Sequence, residues 1–300
     1  MEVSIITINY NSSEYTINLV KSILTNISSD TKYEIIITDN ASENHDYKNL
    51  VDKIPKDSRV KILKSNINTG FAGGNMNGYS ESCGEYLLFI NNDCECLNDI
   101  LHPLISFIKN NKKFGLLTGK VIGTNGKYTG THKLFPCFTK SIFGTAMNRL
   151  IQKEKFISPK VLVIEPIKVQ IVTGAFMFFN REVFKRINGF DINFFLYCEE
   201  EDISKRVWDA GKEVWMVPQA EVFHKSGGSS GSNPHLINEY YISYRKLIFK
   251  HYSFPYALIM MSLVYLKLLK KAVFLKVNLS LIKLALLGFP ERCSLRYKQK

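Results

Sequence analysis

The chain has 300 residues, of which 45% are hydrophobic and 22% are charged. This balance is that of globular proteins with a substantial core, and it excludes a chain that is mainly disordered. The net charge of +12 is unevenly placed, because residues 235–300 hold 12 basic and two acidic residues (+10) and residues 1–234 hold only +2.

The N-terminal segment and the cysteines predict a cytosolic chain. Residues 1–15 contain the acidic Glu2, no basic stretch and an apolar run too short for a signal peptide. Six cysteines are spread over the chain without a C-x-x-C pair. We therefore expect reduced thiols, not a disulfide framework.

Apolar, β-branched segments alternate with helical patterns over the first ninety residues. Residues 3–8 (VSIITI) predict a buried strand, and the apolar spacing of residues 13–27 predicts a helix. The pattern continues with strands at 33–38, 60–64 and 85–90, a helix around 46–54 and another that opens at 68–79. This alternation predicts a parallel sheet wrapped by helices.

Four of the predicted strands end in amides or carboxylates. These residues are Asn9, Asn11, Asp39, Asn40, Asn66, Asn68, Asn91, Asn92 and Asp93. Ligands of such sheets bind beyond the carboxyl ends of the strands. One polar ending would indicate a turn, whereas four on the same edge predict a binding site.

The glycine-rich segment at 68–79 (NTGFAGGNMNGY) opens a predicted helix. Its glycines allow a ligand to approach the backbone, and a helix N-terminus favours an anion. The segment lacks the Gly-Lys-Ser/Thr ending of a P-loop and the G-x-G-x-x-G spacing of a dinucleotide site. A glycine-rich turn beside a tightly packed helix is the alternative interpretation.

Asp93 follows the strand LLFI as a candidate metal ligand. Mg²⁺ and Mn²⁺ take one or two carboxylates and fill their other positions with water and phosphate oxygens. A turn or helix cap is the competing interpretation. Cys94 and Cys96 have no second Cys/His pair at zinc spacing, so we assign them to packing.

The second half of the chain is less regular. Residues 123–165 predict loops and short helices, residues 171–179 (IVTGAFMFF) a strand, and residues 181–191 a short helix. Residues 197–211 predict a helix with four acids in its first turn, Glu199 to Asp202. Those acids either stabilise the helix dipole or include a general base. Likewise, His224 after the strand-like segment EVF is either structural or a ligand.

Taken together, the motifs resemble those of family 2 glycosyltransferases of the GT-A fold, in particular the bacterial rhamnosyltransferase-like branch. The matching pieces, in the family's order over roughly 1–230, are ITINYN (6–11), DNAS (39–42), NTGFAGGN (68–75), NND (91–93), TGAFMFFNREVF (173–184), GFDINFFLYCEEEDISKR (189–206) and VFHKSGGSS (222–230). The resemblance implies a GT-A, Rossmann-like α/β fold with a mainly parallel sheet. It also implies an inverting transferase that moves a sugar such as rhamnose from a UDP- or dTDP-sugar in cell-surface polysaccharide synthesis.

The donor-binding residues follow from the same resemblance. Asp39 matches the carboxylate that binds the pyrimidine of the nucleotide-sugar, and Asn75 lies in the family's donor-binding loop. The polar strand ends and the glycine-rich segment at 68–79, called the glycine loop below, complete the predicted donor site: Asn9, Asn11, Asn68, Gly70, Asn91 and Asn92.

The metal site is carried over in the same way. Asp93 matches the last Asp of the D-x-D motif, which holds Mg²⁺ or Mn²⁺ on the diphosphate. Asn91 stands in place of the first Asp, and Asn92 stands where proline is usual. His224 matches a late histidine near the metal or the diphosphate.

The catalytic base is carried over with one departure from the family. The family's Glu-Asp pair aligns with Glu199 and Glu200, so Glu200 takes the place of the aspartate that acts as base. Glu reaches about one methylene further than Asp, and Glu199 is the alternative base.

The sequence changes character after Pro234. We predict a glycosyltransferase domain at 1–234 and a basic, amphipathic helical tail at 235–300. The apolar run 254–266 has thirteen residues, short of the ~20 that span a membrane. Lysines interleaved with apolar residues instead predict helices on an anionic membrane surface, at the inner face of the cell membrane, near a saccharide or polyprenyl-linked acceptor. A helical pair packed on the body is the alternative.

Three other functions compete with the transferase. A nucleic-acid binder would use the basic tail, but the tail has no recognised motif and is too apolar, so we expect no nucleic-acid partner. A nucleotidyltransferase would need a basic glycine-rich loop after the first strand, and none is present. A catalytically inactive GT-A scaffold is the third alternative, because of the change at Glu200.

Overall fold

The computed structural model describes residues 1–129, 131–137, 163–225, 235–274 and 279–299. Most of the segment expected to form loops and short helices, 123–165, lies outside these described residues. The predictions for residues 226–230 of the VFHKSGGSS motif lie outside them as well.

The first part of the fold follows the predicted alternation of strands and helices. Its elements are β1 (Val3–Asn9), α1 (Ser13–Asn26), β2 (Tyr33–Asn40), α2 (Asn44–Lys53), β3 (Val60–Ser65), α3 (Gly70–Ser80) and β4 (Tyr86–Ile90). Every strand and helix predicted in this part is confirmed within a few residues of its expected bounds.

The second part contains shorter strands. Its elements are β5 (Cys94–Cys96), α4 (Leu101–Asn110), β6 (Phe114–Ile122), β7 (Tyr128–Thr129), β8 (His132–Lys133), β9 (Ile167–Lys168), β10 (Ile171–Val172), β11 (Phe176–Asn180), α5 (Arg181–Arg186), α6 (Glu199–Asp209) and β12 (Glu213–His224). The C-terminal elements are α7 (His235–His251), α8 (Phe254–Phe274), α9 (Leu279–Leu286) and two short 3₁₀ turns at Glu291–Cys293 and Leu295–Lys298.

The single strand expected at 171–179 is wrong, because the chain leaves one sheet and enters another at Thr173. β10 pairs with β8 in a separate two-stranded sheet, whereas β11 lies between β4 and β6 in the main sheet. Between them, the Thr173 amide donates to Thr131 O and the Ala175 carbonyl accepts from the Asn91 amide. The Thr-Gly-Ala segment therefore connects the two sheets.

The main sheet is mixed, and four neighbouring parallel strands form one side of it. Its order is β3-β2-β1-β4-β11-β6-β12-β5, and β3, β2, β1 and β4 run parallel. β11 is antiparallel to both of its neighbours, and β12 is parallel to β6 but antiparallel to β5. The predicted α/β fold with a mainly parallel sheet flanked by helices is confirmed.

Both faces of the sheet are buried. Successive residues of a strand point to opposite faces, and Ile5 belongs to the core beneath α1 and α4 while Ile6 belongs to the core beneath α3, α5 and α6. Ile35 and Ile36 divide in the same way, and all four side chains are fully buried. Helices on both faces explain why these strands are continuously apolar.

The C-terminal helices form a small core of their own and also contact the rest of the protein. Ile242 of α7, Met261 and Leu268 of α8, and Leu281 of α9 pack together. Leu247 of α7 packs instead against residues of the segment that leads into α6. Within the described part of the chain, no helix is long and apolar enough to cross a membrane.

Candidate active site

Asn9 joins the ends of β1 and β2 at the carboxyl edge of the sheet. Its Nδ2 group donates to Asp39 Oδ2 and to Asp46 Oδ2, both at 2.9 Å, and its Oδ1 accepts from Thr16 Oγ1 at 2.8 Å. Asp39 is fully buried and also accepts from the Ser42 amide at 3.2 Å. These bonds fix the two strand ends, while donor contacts of Asn9 and Asp39 stay predictions.

Asn11 holds together the turns that follow β1 and β2. Its backbone amide donates to Ser42 Oγ at 2.9 Å, and its side-chain oxygen accepts from the Glu43 amide at 2.7 Å. Its φ of 49° lies in the left-handed region, where asparagine is among the better tolerated residues. Asn11 is exposed, so its side of the edge is open to a ligand.

The glycine loop is tied both to β2 and to the segment before α6. Asn40 Nδ2 donates to Asn68 Oδ1 at 2.9 Å, and Asn68 Oδ1 also accepts from the Gly70 amide at 2.8 Å. Gly70 has a φ of +73°, and a Cβ at this position would lie 2.0 Å from the carbonyl oxygen of Phe195. Only glycine fits here, because the backbones of the loop and of Phe195 touch.

Asn75 lies in the second turn of α3 and is buried. Its Nδ2 donates to Phe71 O at 3.1 Å, four residues earlier in the same helix. Asn75 therefore lies in the part of the glycine loop that forms α3. Its predicted role in donor binding stays a prediction.

Asn91 and Asn92 end β4 in different ways. The Asn91 amide donates to Ala175 O at 3.0 Å, which connects β4 to the Thr-Gly-Ala segment. Asn92 is buried, and its Nδ2 donates to Ser12 Oγ at 2.7 Å and to Thr16 Oγ1 at 2.9 Å. The Asn92 amide thereby anchors the start of α1, and its predicted donor contact stays untested.

Asp93 and His224 meet because β5 and β12 are neighbours. His224 is the last residue of β12 and registers with Cys94, the first residue of β5. His224 Nε2 lies 3.1 Å from Asp93 Oδ1, and the carboxylate is almost completely buried. Across the described residues, this oxygen accepts no well-aligned hydrogen bond.

This arrangement fits a hard divalent cation. Two ligand atoms at about 2.1 Å from an octahedral ion and at right angles to each other are about 3 Å apart. Cys94 Sγ lies within 4.8 Å of both ligand atoms, but burial raises the pKa of its thiol well above the usual range, with the Asp93 carboxylate adding to the shift. Hard cations such as Mg²⁺ and Mn²⁺ prefer oxygen ligands to sulfur, so Asp93 and His224 are the residues that would hold the ion.

A cavity of about 260 Å³ adjoins Asp93. Tyr15 and Lys225 form part of its wall, with Lys225 Nζ 4.7 Å from the centre of the Tyr15 ring. Neither residue was predicted to belong to the site. The only available signal was the position of Lys225 directly after His224.

Three glutamates and one lysine form the acidic part of the site. Lys133 Nζ lies 2.8 Å from Glu200 Oε1 and 3.3 Å from Glu201 Oε1. Gly174 lies beside Glu200, since a Cβ added to this glycine would be 3.9 Å from the Cβ of Glu200. Lys133 lies on the two-stranded sheet, far from the glutamates in sequence, and no local motif marks it as a site residue.

The surroundings shift the pKa of Glu200 in the opposite direction from those of Glu199 and Glu201. Burial, and then the Glu200 carboxylate, raises the pKa of Glu199 well above its usual range. The same two causes raise the pKa of Glu201 to about 8. Burial also acts on Glu200, but the Lys133 ammonium outweighs it and lowers the pKa of Glu200. Glu200 is therefore the ionised carboxylate at neutral pH.

The fold and this edge define a class of protein, the GT-A glycosyltransferases. A polar edge lies beyond the parallel strands, with a carboxylate–histidine pair at one point and an ionised glutamate at another. Residues 4–187, more than half of the chain, match the family model of Glycosyl transferase family 2, so the chain belongs to that family.

Known relatives share this family. Rhamnosyltransferase WbbL of Escherichia coli is 28% identical over 148 residues, which are 49% of this chain and 54% of WbbL. N-acetylglucosaminyl-diphospho-decaprenol L-rhamnosyltransferase of Mycobacterium tuberculosis is 33% identical over 82 residues, 27% of each chain. The chain thus spans about half the length of WbbL and less of the second relative.

A solved structure shares the fold. The crystal structure of GalNAc-T7 with UDP, GalNAc and Mn²⁺ has a TM-score of 0.60 to this chain at 16% identity. The match covers 83% of this chain and 48% of GalNAc-T7. At this identity the likeness shows the fold alone.

Proposed function

We propose that the protein is an inverting, metal-dependent glycosyltransferase that uses a UDP- or dTDP-sugar donor. The observation that carries the proposal is that one short segment, Gly174–Ala175, connects the surroundings of Glu200 with those of the carboxylate–histidine pair. Gly174 lies beside Glu200, and the carbonyl of the next residue, Ala175, accepts from the backbone amide of Asn91, two positions before Asp93. The two relatives named rhamnosyltransferases support rhamnose as the sugar.

Glu200 is the general base in this proposal, and Glu199 is not. A base must be ionised before it accepts a proton. Glu199 is buried, and burial raises its pKa well above the usual range, which disfavours its ionised form. Glu200 has a lowered pKa because Lys133 is within 2.8 Å. The same electrostatics support an active enzyme over an inactive scaffold.

The reaction uses one proton transfer and one substitution. Glu200 accepts the proton of an acceptor hydroxyl as its oxygen forms a bond to the anomeric carbon of the donor. The bond from that carbon to the diphosphate oxygen breaks, and its electron pair leaves with the nucleoside diphosphate. Attack opposite to the leaving group inverts the anomeric centre.

Asp93 and His224 hold the divalent ion in this proposal. When bound, Mg²⁺ or Mn²⁺ neutralises the charge that develops on the diphosphate. Asp39, Asn75 and the polar strand ends bind the nucleotide, as the resemblance to the family implies. GalNAc-T7, which has the same fold, was crystallised with UDP and Mn²⁺.

We also propose that residues 1–234 carry the transferase site and that residues 235–300 attach it to an anionic membrane. Such a peripheral position at the inner face of the cell membrane suits a saccharide or polyprenyl-linked acceptor. The name of the mycobacterial relative includes a diphospho-decaprenol acceptor. The exposed apolar and basic residues of α8 support the membrane contact.

A donor screen tests the proposed function. Wild-type protein with Mn²⁺ is incubated with UDP-, dTDP- and GDP-sugars, and released nucleoside diphosphate is measured. We expect release from a UDP- or dTDP-sugar, loss of release in Glu200→Gln with donor binding retained, and loss of metal-dependent binding in Asp93→Asn. Asp209→Asn, an exposed acid in the last turn of α6, is the control for a lost charge.

Two outcomes would contradict the proposal. Release of nucleoside diphosphate by Glu200→Gln at the wild-type rate would show that Glu200 is not the general base. Wild-type protein that binds a donor with Mn²⁺ yet releases no product from any sugar nucleotide, with or without saccharide acceptors, would favour the inactive scaffold.

A further inference from the structure

The segment that leads into α6 contains two consecutive left-handed residues. Tyr197 has a φ of 70° and Cys198 a φ of 66°, and neither is glycine. Side chains crowd the backbone in this region, so such residues persist only where surrounding contacts hold them. Glu199 follows directly, which means that this turn sets the direction in which the glutamates of α6 point.

Helix α7 supplies contacts on both sides of that turn. Ser243 Oγ donates to the carbonyl oxygen of Leu196, immediately before the turn, at 2.8 Å. The Cys198 side chain is buried against Phe194 and Leu247. The carbonyl before the turn and the side chain within it are therefore both fixed by α7.

The end of α7 also holds the first turn of α6. Asp202 is completely buried, and its Oδ1 lies 2.6 Å from Lys250 Nζ and 2.7 Å from His251 Nε2. Arg206 donates two hydrogen bonds to its Oδ2, at 2.9 and 2.6 Å. Although burial raises it, the pKa of Asp202 is lowered to about 2 because His251, Arg206 and Lys250 surround the carboxylate.

The same helix reaches the start of the segment. Lys250 Nζ lies 2.6 Å from Asp191 Oδ2, and Lys246 Nζ donates to the carbonyl oxygen of Asn193 at 2.7 Å. Contacts from α7 thus occur along the whole stretch 191–202. A peripheral tail would need none of them.

We infer that α7 is a positioning element of the active site, which holds the Tyr197–Cys198 turn and thereby the orientation of Glu200. This inference rests on the proposed function, in which Glu200 is the base. It assigns to Ser243 and Lys250 a role in turnover without any contact with substrate. α7, about a quarter of residues 235–300, then belongs to the catalytic apparatus, and the proposed membrane attachment is confined to the elements that follow it.

The test removes single contacts between α7 and this segment. In Ser243→Ala and Lys250→Met we expect kcat for nucleoside diphosphate release to fall about tenfold or more, since small displacements of a reacting group are costly. The KM for the donor should change much less. Ser243→Thr and Lys250→Arg should recover most of kcat, and amide hydrogen exchange in residues 191–202 should be faster in the two disrupting variants.

Arg245→Met is the matched control. Arg245 lies on α7 with its guanidinium over the Phe249 ring at 5.1 Å, and within the described residues it makes no hydrogen bond or ion pair with residues 191–202. The Arg245→Met substitution removes one charge from the same helix and should leave amide hydrogen exchange and turnover at wild-type values. Where Ser243→Ala fails to fold, Lys250→Met carries the test, because this lysine is partly exposed.

Two results would overturn the inference. Wild-type exchange of residues 191–202 in both disrupting variants would show that α7 does not hold the segment. Faster exchange with unchanged kcat would show that the orientation of Glu200 does not depend on it. If wild-type protein turns over no donor, the proposed function fails by itself, and exchange alone decides whether α7 holds the segment.

Discussion

The ammonium group of Lys133 lies beside the cluster formed by Glu199, Glu200 and Glu201. The lysine contacts Glu200 and Glu201 but not Glu199, and the pKa of Glu200 alone is lowered. Without it, burial would raise the pKa of all three carboxyls. One residue on a two-residue strand therefore determines which acid of the cluster has a lowered pKa and can serve as the proposed base.

Replacement of Lys133 by Met should move the pH dependence of turnover. Loss of the ammonium raises the pKa of Glu200, so the base is ionised only at higher pH and the acid limb of kcat/KM shifts upward by about one pH unit or more. Activity at pH 6 should fall more than activity at pH 8. The full pH–rate profile of each variant is the measurement.

Two variants control for the lost charge. Lys133→Arg should keep the wild-type profile, because it restores a cation beside Glu200. Lys168→Met removes a lysine whose partner is Glu213, away from the cluster, and should leave the profile in place. An unshifted acid limb in Lys133→Met would mean that Lys133 does not set the ionisation of the base.

At the scale of elements, the glycine loop and the segment before α6 are joined by a backbone hydrogen bond and a close backbone contact. The Phe71 amide donates to the carbonyl oxygen of Phe195 at 2.8 Å, and Gly70 leaves no room for a side chain. The glycine loop belongs to the predicted donor site, and the other segment leads to the proposed base, Glu200. The two halves of the site are therefore packed as one unit.

Gly70→Ala should destabilise the protein by more than backbone strain alone explains. A φ of +73° costs an alanine roughly 1 kcal/mol or more, and the added Cβ meets the carbonyl oxygen of Phe195 at 2.0 Å. Gly211→Ala is the matched control, with a φ of +72° and nothing within 4 Å of the added carbon. Urea unfolding of both variants separates the steric cost from the strain.

We expect Gly70→Ala to lose at least about 2 kcal/mol more stability than Gly211→Ala, together with donor affinity. Equal losses in the two variants would mean that the loop moves away from Phe195 at little cost. The contact would then not be the reason that glycine occupies position 70.

The elements that the sequence predicted well are those set by local pattern. β1 to β4 and the helices between them follow from apolar runs, helical spacing and polar strand ends, which are properties of neighbouring residues. β6 and most of β12 were missed, although both are apolar, because glycines interrupt β6 and Pro218 interrupts β12, where its pairing with β6 changes register. The two-residue strand that carries Lys133 exists only through its pairing with β10, which no local pattern encodes.

The candidate site divides in the same way. Asp93, Glu200 and His224 stood out through strand ends, an acidic helix start and the resemblance to a family. Their electrostatic partners did not, because Lys133 and α7 reach the site only through tertiary packing. The distinction between Glu199 and Glu200 likewise needed burial and the lysine contact.

For the whole molecule, the main asymmetry is between a nearly neutral body and a basic C-terminal segment. α8 exposes apolar side chains along one side, including Phe254, Leu266 and Leu269, each more than 60% exposed. Lys267 and Lys270 are exposed on the same helix. Apolar residues flanked by lysines are typical of helices that lie on an anionic membrane surface. α7 packs on residues 191–202, so point substitutions in α8 test membrane contact better than removal of the whole segment.

The double substitution Leu266→Asp with Leu269→Asp should release the protein from anionic vesicles. Each lysine near the surface contributes about 1 kcal/mol, and the buried apolar contact adds to it. The substitution removes the apolar part and introduces repulsion. Cosedimentation with vesicles of phosphatidylglycerol and phosphatidylcholine at low salt is the measurement. Ile164→Asp, at an apolar residue that is 72% exposed elsewhere on the protein, is the control and should bind like wild type.

Salt dependence distinguishes the electrostatic from the apolar contribution to membrane binding. Exposed charges are screened at high ionic strength, whereas apolar contact is not, so 0.5 M salt, on the order of ten times the low-salt condition, should weaken wild-type binding only partly. Donor binding should be unaffected by the double substitution, because every residue predicted to bind donor precedes Pro234. A lack of binding of the wild-type protein to anionic vesicles at low salt would contradict the prediction. The exposed face of α8 would then have to pack against another protein or a second copy of this chain.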